Sequence, residues 1–368
     1  MAGDETKATT PETICRGLPA EPLILDGRAL TDAGCQLSIA ALHDVLDRAW
    51  ADIRSGAAFG GKSVLSLSED AFWQPAGYLQ RPAEFVGERL GWKLSCLYGV
   101  NPNYAGVKVI GANAVNRLHG LARSRSTFIL MEKFTMQPIA IVDATALSAA
   151  RTGTYASLVH RLCLTGRDRI TLFLFGAGPI ADAVLRSLGF RAAGSIGHVF
   201  VRARRLEKAK ALQASLSPLL PFEITAVEDN SALAEADYVI TATNSAEPVF
   251  ADHQLRRDAC LLSLGGDEVP AETLRRVLRQ GHLACDDMAT VSRRNSQSLA
   301  LLFSRSGTTL ETVGPHLGVL ELSKSKDWQL EPGAPTAVTC VGLPMLDLYV
   351  VSALYEKYRA TAFGPLPL

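Results

Sequence analysis

Two short stretches carry side chains whose type and spacing could do chemistry. In "LFLFGAGPIADAVLRSLGF" an apolar run, a GxGxxA pattern and a helix-like segment follow one another. In "ACLLSLGGDEVPAETL" another apolar run ends in Gly265, Gly266 and the carboxylate Asp267. The first arrangement suits a dinucleotide. Gly176 permits a tight turn, Gly178 lets a pyrophosphate approach the backbone, and Ala181 lets strand and helix pack closely. Gly176, Ala177, Gly178, Pro179 and Ile180 are then the expected phosphate-side contacts, helped by unpaired N–H groups at the helix N-terminus. Asp267 has two readings: a group in the cofactor cleft, or a helix cap ahead of Pro270.

The strand after the glycine turn should end in an acid if the cofactor is NAD, because a carboxylate accepts from the adenosine-ribose hydroxyls. Here "VFVRARRLEKAKAL" places Ala203 at that point, among Arg202, Arg204 and Arg205. Guanidinium groups match a phosphate in geometry and charge, so NAD(P) is the expected cofactor with NADP favoured over NAD. The competing reading is a solvated helix start. A further strand, "YVITAT", brings Thr243, Asn244 and Ser245 to the same cleft, since ligands bind beyond the carboxyl ends of strands in open α/β sheets. Residues 56–63, "GAAFGGKS", also satisfy the letters of a phosphate-binding loop. That motif needs a strand before it and a helix after it, whereas a helix-like segment precedes and "SVLSLS" follows, so a helix-to-strand connection is expected.

The elements that must position these residues fall into two textures. From Leu37 to Arg54, "LSIAALHDVLDRAWADIR" has helical spacing, and "VKVIGAN" and "FILMEKF" read as strands. From Arg169, short buried strands alternate with helix-like stretches, which implies a doubly wound parallel sheet. "GLPMLDLYVVSALYEKYRA" reads as a closing apolar helix. The 368 residues suggest two domains, and 37 basic against 37 acidic side chains give no field that would favour nucleic acid or an anionic membrane. A small-molecule partner is expected. Seven scattered cysteines without CxxC spacing argue against a disulfide framework or structural zinc and fit a reducing cytoplasm. No leader pattern and no apolar run of membrane-spanning length, ~20 residues, is evident.

The ordered set "VKVIGAN", "GLARS", "ALSAARTG", "GAGPIA", "SLGGD", "DDMATVSRRNSQSLA" and "VGLPMLDLYVVSALYEK" resembles the ornithine cyclodeaminase/mu-crystallin family. The resemblance implies an α/β fold, with a Rossmann-type domain (156–311) inserted into an α+β substrate-binding and dimerisation domain built from 1–155 together with 312–368. It implies a homodimer and an NAD(P)-dependent oxidoreductase acting at a C–N bond of an amino acid, opine or cyclic imine, by hydride transfer between substrate Cα and nicotinamide. A cyclodeaminase that recycles its cofactor and a mu-crystallin-like ligand-binding protein are the alternatives. By the same resemblance Lys108 contacts substrate, Arg151 binds its carboxylate, and Asp267 transfers a proton. Arg123, Ser124 and Thr152 are expected on the cofactor side. The chain departs from the family in lacking an N-terminal substrate arginine, for which Arg81 is the stand-in and Lys62 a poorer one. It also lacks the lysine that follows "GGD" in ornithine cyclodeaminases, with Ala271 near that place. "DDMATVSRRNSQSLA" and "GLPMLDL" are nearest to the 2,3-diaminopropionate-forming, opine-cleaving branch, and "SLGGD" points away from it.

Overall fold

The computed structural model describes residues 19, 21–68, 71–72, 83 and 90–363. Its first part builds a mixed six-stranded sheet from β1 (Leu23–Leu25), β2 (Phe59–Ser66), β3 (Lys93–Val100), β4 (Tyr104–Ala112), β5 (Ser124–Glu132) and β6 (Pro138–Asp143). The order is β1-β6-β5-β4-β3-β2, antiparallel throughout except for the β1–β6 pair. Between these strands lie α1 (Gly27–Asp32) and α2 (Ile39–Ser55). The second helix is the one expected over 37–54. Ser38 Oγ caps it by accepting from Ala41 N at 3.2 Å, and Gly56 ends it at φ +79°. Because α2 runs into β2, Gly60 and Gly61 of "GAAFGGKS" belong to a strand edge, facing Gly99 and Tyr98 of β3.

Helix α3 (Thr145–Cys163) leads to the second sheet, formed by β7 (Ile170–Phe175), β8 (Ile196–Arg202), β9 (Glu223–Val227), β10 (Tyr238–Thr241), β11 (Cys260–Ser263), β12 (His282–Cys285), β13 (Leu320–Glu321) and β14 (Thr336–Thr339). Every pair is parallel, in the order β13-β12-β14-β11-β10-β7-β8-β9. Strands β7, β10 and β11 are almost wholly buried, which is why they read as continuous apolar runs. The helices of this part are α4 (Pro179–Arg191), α5 (Leu206–Leu216), α6 (Ala271–Gln280), α7 (Met288–Arg294), α8 (Ser298–Ser304) and α9 (Leu310–Val313). The chain winds outward from β7 through β8 and β9, then crosses back to β10. The switch point therefore falls between β7 and β10, where such sheets open a crevice for ligands.

The topology corrects the expected division at 312. Strand β14 sits inside the parallel sheet between β12 and β11, and β13 closes its edge, so residues 320–339 belong with the dinucleotide-type sheet. The run "PTAVT" is only a few residues long and is flanked by prolines and glycine, which hid it as a strand. Only the final helix, α10 (Pro344–Phe363), returns to the first sheet. There Leu348, Val351, Leu354 and Tyr355 share a core with Leu25, Phe128, Leu130 and Val142. The other expected boundary, at 155/156, cuts through α3. That helix packs on α4 so closely that a Cβ on Gly153 would lie 2.4 Å from the Ala183 carbonyl carbon. Gly153→Ala must push two helices apart, with a stability loss of about 1–3 kcal/mol. An unchanged denaturant midpoint would contradict that approach.

Candidate functional site

At the switch point Gly176 adopts φ +117°, and a Cβ there would lie 2.5 Å from the Ala242 carbonyl oxygen at the end of β10. Only glycine fits. Gly178 has open space on its side-chain face, and no side chain caps α4, which begins at Pro179 with Ala181 fully buried against the sheet. Open space before uncapped N–H groups is what a pyrophosphate requires, so the residues present fit a dinucleotide. Ala177 and Ile180 are half-buried beside it and Pro179 is exposed.

The three arginines at the end of β8 divide. Arg202 is turned inward as a cross-link: Nη1 donates to Asn230 Oδ1 at 2.8 Å and to Val249 O at 3.3 Å, and Nε to Glu228 O at 3.2 Å. Nε and Nη1 are thereby committed to three acceptors, and Nη2 takes no part in these bonds. Arg204 and Arg205 are exposed at the start of α5, and Ala203 lies half-buried between strand and helix. Thr243 is likewise engaged, donating its N–H to Glu268 Oε1 at 2.6 Å and its hydroxyl to the same oxygen. Ser245 N donates to Thr243 Oγ1 at 3.0 Å. Arg123 Nη2 donates to Asn244 Oδ1 at 2.6 Å, joining the loop before β5 to the end of β10. Ser124 opens β5, and Thr152 Oγ1 bonds back to Ser148 O at 2.6 Å within α3.

Around the beginning of α10 lies a buried cation–carboxylate cluster. Lys108, from the middle of β4, is completely buried, with Nζ 2.6 Å from Asp347 Oδ1 and 3.2 Å from Ser148 Oγ. Arg151 of α3 places Nε 3.0 Å from the same Asp347 oxygen. Asp347 is itself buried, and its Oδ2 has no hydrogen-bond partner among the described residues. Burial opposes ionisation of Asp347, but Arg151 and Lys108 outweigh it and hold the carboxyl below its ordinary range. Burial lowers Lys108, Asp347 pulls it back and Arg151 adds to the depression, leaving it at about 8. Arg151 is depressed by burial yet raised on balance by Asp347.

The turn after β14 locks this cluster. Gly342, at φ +83°, lies flat on the Arg151 guanidinium, where a Cβ would come within 2.2 Å of Nη1. Val341 N and Gly342 N donate to Asp286 Oδ2 at 2.9 and 2.8 Å, and Tyr155 OH donates to it at 3.0 Å. The Val341 carbonyl accepts from Lys62 Nζ at 3.3 Å and from Arg294 Nη1 at 3.2 Å. Lys62 thus reaches the turn that covers the cluster; Arg81 lies outside the described residues.

Asp267 is not a helix cap, because α6 begins at Ala271 behind Pro270 with no side-chain cap bond. Its Oδ2 pairs with Arg305 Nη2 at 2.6 Å, and among the described residues no hydrogen bond or ion pair joins it to Lys108 or Arg151. Asp347, Asp286 and Glu268 were missed in sequence. The available signal was an acid inside an apolar run, as in "PMLDLYVV", which demands a buried partner.

A parallel sheet with an open glycine turn at its switch point, joined to a second sheet that carries buried cations, defines a two-domain protein of the dinucleotide-binding α/β class. The model of the ornithine cyclodeaminase/mu-crystallin family matches residues 93–310, and the chain belongs to that family. It is 28% identical over 240 residues to an NAD(P)H-dependent anabolic L-arginine dehydrogenase of Pseudomonas aeruginosa, covering 63% of this chain and 71% of that one. Its fold is similar to that of Thermococcus litoralis Δ1-pyrroline-2-carboxylate reductase in complex with NADH and L-proline, at TM-score 0.74, 20% identity and coverage of 91% and 97% of the two chains. An archaeal alanine dehydrogenase dimer with bound NAD has the same fold, at TM-score 0.73, 19% identity and coverage of 91% and 95%. No helix among the described residues is long and apolar enough to cross a membrane.

Asp347→Asn leaves two buried cations without their counter-charge, and the expected loss is about 3–5 kcal/mol at neutral pH. Lys108 would then titrate still lower in the folded state than in the unfolded one, so the unfolded chain binds more protons between those values and stability rises with pH. The deficit against the parent should therefore shrink as pH rises to about 8 and level off above it, where Lys108 of the parent also loses its proton. A deficit that stays constant or grows with pH in denaturant titrations would contradict the assignment.

Proposed function

We propose that the protein is an NAD(P)-dependent oxidoreductase acting at a C–N bond of an amino acid, opine or cyclic imine. The observation that carries this reading is the Lys108–Asp347–Arg151 cluster, in which one carboxylate faces two buried cations. A lysine ammonium has three donors and an arginine five, so both keep N–H groups for a second carboxylate after serving Asp347. Lys108 and Arg151 would hold the substrate carboxylate, and Asp347 would fix both cations in position before substrate arrives. The family relationship and the names of the relatives, an arginine dehydrogenase and a pyrroline-2-carboxylate reductase, support the same reaction class.

The nicotinamide, when bound, supplies or accepts a hydride. Gly176 to Ile180 would hold its pyrophosphate, and Asn244, steadied by Arg123, would border the cofactor cleft together with Ser124, Ser245 and Thr152. Asp267 would carry the proton to or from the substrate nitrogen, or to the water that attacks an imine, and Arg305 would orient it. NADP is the favoured cofactor because Arg204 and Arg205, rather than an acid, stand at the end of β8. A homodimer accords with exposed Phe59, Leu65 and Tyr98 on the outer strands of the first sheet. A cytoplasmic site accords with free thiols at all six cysteines among the described residues.

Incubating the protein with amino acids, opines and keto-acid plus amine pairs should change nicotinamide absorbance. Ammonia release without that change would point to a cyclodeaminase, and tight binding without turnover to a ligand-binding protein. With a substrate in hand, kcat/KM should fall as pH rises through about 8, because only the ammonium form of Lys108 binds a carboxylate. Lys108→Met should remove that limb and lower kcat/KM by roughly a hundredfold, the order expected from losing a buried charge-assisted contact. Asp267→Asn should abolish turnover and leave cofactor affinity near that of the parent.

The cofactor preference has its own test. Arg204→Ala with Arg205→Ala should weaken NADP(H) roughly tenfold or more, as expected for lost charge-assisted hydrogen bonds. NAD(H) should change little. Equal losses for the two cofactors, measured as dissociation constants, would remove the preference.

A further inference from the structure

A cavity of about 260 Å³ opens between α2, α3 and α4, and it shares no lining residue with the glycine turn or with the Lys108–Asp347–Arg151 cluster. A closed cavity of about 150 Å³ admits benzene, so this one has room for a bicyclic ring. Its walls are buried: Leu46 and Trp50 of α2 and Leu158 of α3 supply apolar surface. His43 of α2 with Thr154, Ser157 and His160 of α3 supply the polar atoms within. Asp47, Arg161, Thr165 and Arg191 are exposed and form the rim.

The hydrogen bonds around the cavity decide which of its polar atoms donate and which accept. A hydroxyl has one proton to give. Thr154 Oγ1 gives its proton to Arg151 O at 2.8 Å, Ser157 Oγ to Thr154 O at 3.0 Å and Thr165 Oγ1 to Arg161 O at 2.5 Å. These hydroxyls, bonded back along their own helix, keep only lone pairs. Behind the wall, Ser187 Oγ of α4 donates to Ser157 Oγ at 2.9 Å, so it can only accept from His43 Nε2, 3.2 Å away. His43 therefore carries its proton on Nε2 and offers Nδ1 as an acceptor, and no hydrogen bond to Nδ1 forms among the described residues. His160 repeats the arrangement: its Nε2 meets Ser195 Oγ at 2.8 Å, whose proton goes to Ala192 O at 3.1 Å. Burial keeps both rings neutral, pushing His43 down to about 4 and His160 below its ordinary value.

The rim has no net charge with which to select an ion. Arg191 Nη2 lies 2.9 Å from Asp47 and 3.7 Å from Asp44, and Arg161 Nη1 lies 3.9 Å from Asp47. Two arginines thus answer two aspartates, and the interior presents uncharged acceptors beside apolar walls. A buried acceptor left without a donor costs about 1–3 kcal/mol. The complement of such a lining is an uncharged ring that carries an N–H.

We infer that this cavity binds an uncharged N–H heteroaromatic of the indole class, with its ring against Leu46, Trp50 and Leu158 and its N–H donating to His43 Nδ1. An indole nitrogen donates and does not accept, so among acceptors it leaves no polar atom of its own unmatched. The site is separate from the cofactor crevice and stands independently of the oxidoreductase reading.

The test titrates the full chain, with and without NADP+, with indole and with 1-methylindole, which keeps the ring and lacks the donor. Calorimetry should show saturable binding of indole at least about tenfold tighter than that of 1-methylindole, the order expected for one buried hydrogen bond. NADP+ should leave both affinities unaltered. His43→Phe should bring the two ligands level by weakening indole alone. Ser157→Ala reaches the same result by another route and serves if His43→Phe does not fold: Ser187 then donates to His43 Nε2, the ring proton moves to Nδ1, and the acceptor is lost. Equal affinities in the parent, no binding of indole, displacement by NADP+, or an indole advantage that survives either substitution overturns the site. Tighter binding of tryptamine or indole-3-acetate than of indole overturns the uncharged class.

Discussion

The structure turns on one carboxylate oxygen. Asp347 Oδ1 is shared by Lys108 from the first sheet and Arg151 from the helix that links the sheets, while Asp347 itself belongs to the last helix of the chain. Three segments far apart in sequence are thereby fixed at a single buried point. Such a pair of cations is costly to desolvate and is tolerable only with a compensating anion and good geometry. Meeting that requirement also leaves donors pointing away from Asp347. The interaction that makes the fold tolerable is the one that the proposed carboxylate site would draw on.

Around that point the remaining polar groups act as struts. Asp286, raised by burial yet stabilised by two backbone N–H groups and the Tyr155 hydroxyl, holds the Val341–Gly342 turn. Glu268 ties the ends of β10 and β11 through Thr243, and Arg123 reaches across to Asn244. These groups brace the strand ends and the turn through backbone and side-chain bonds. Networks of this kind are stringent, because one unsatisfied member costs more than the bond it would have made.

Much of the fold was legible because its signals are local. The GxGxxA turn sits where strand, turn and helix all agree, and Gly176 meets the steric demand expected of it. The amphipathic stripe of α2 and the apolar runs of β7, β8, β10 and β11 were equally plain. Strand β14 was not, since four residues between turn-forming neighbours carry no periodicity to read. Within the buried cluster the cations were named from the sequence and the anion was not. Lys108 and Arg151 were named through family resemblance, but Asp347 lay inside an apolar helix where one acid looks like an interruption. Arg202, Arg204 and Arg205 look equivalent in sequence, and only the fold shows that the first bonds to Asn230 and Val249.

The placement of β14 reaches beyond the finished molecule. A parallel sheet is assembled from distant pairings, and here the slot between β11 and β12 stays empty until residues 336–339 have left the ribosome. A nascent chain truncated before that point exposes two unsatisfied strand edges in the middle of its own sheet, the kind of surface that chaperones guard and aggregates exploit. The dinucleotide half therefore cannot mature as an early, independent unit during synthesis. Its completion coincides with delivery of the C-terminal helix to the opposite sheet, so the two halves finish folding together.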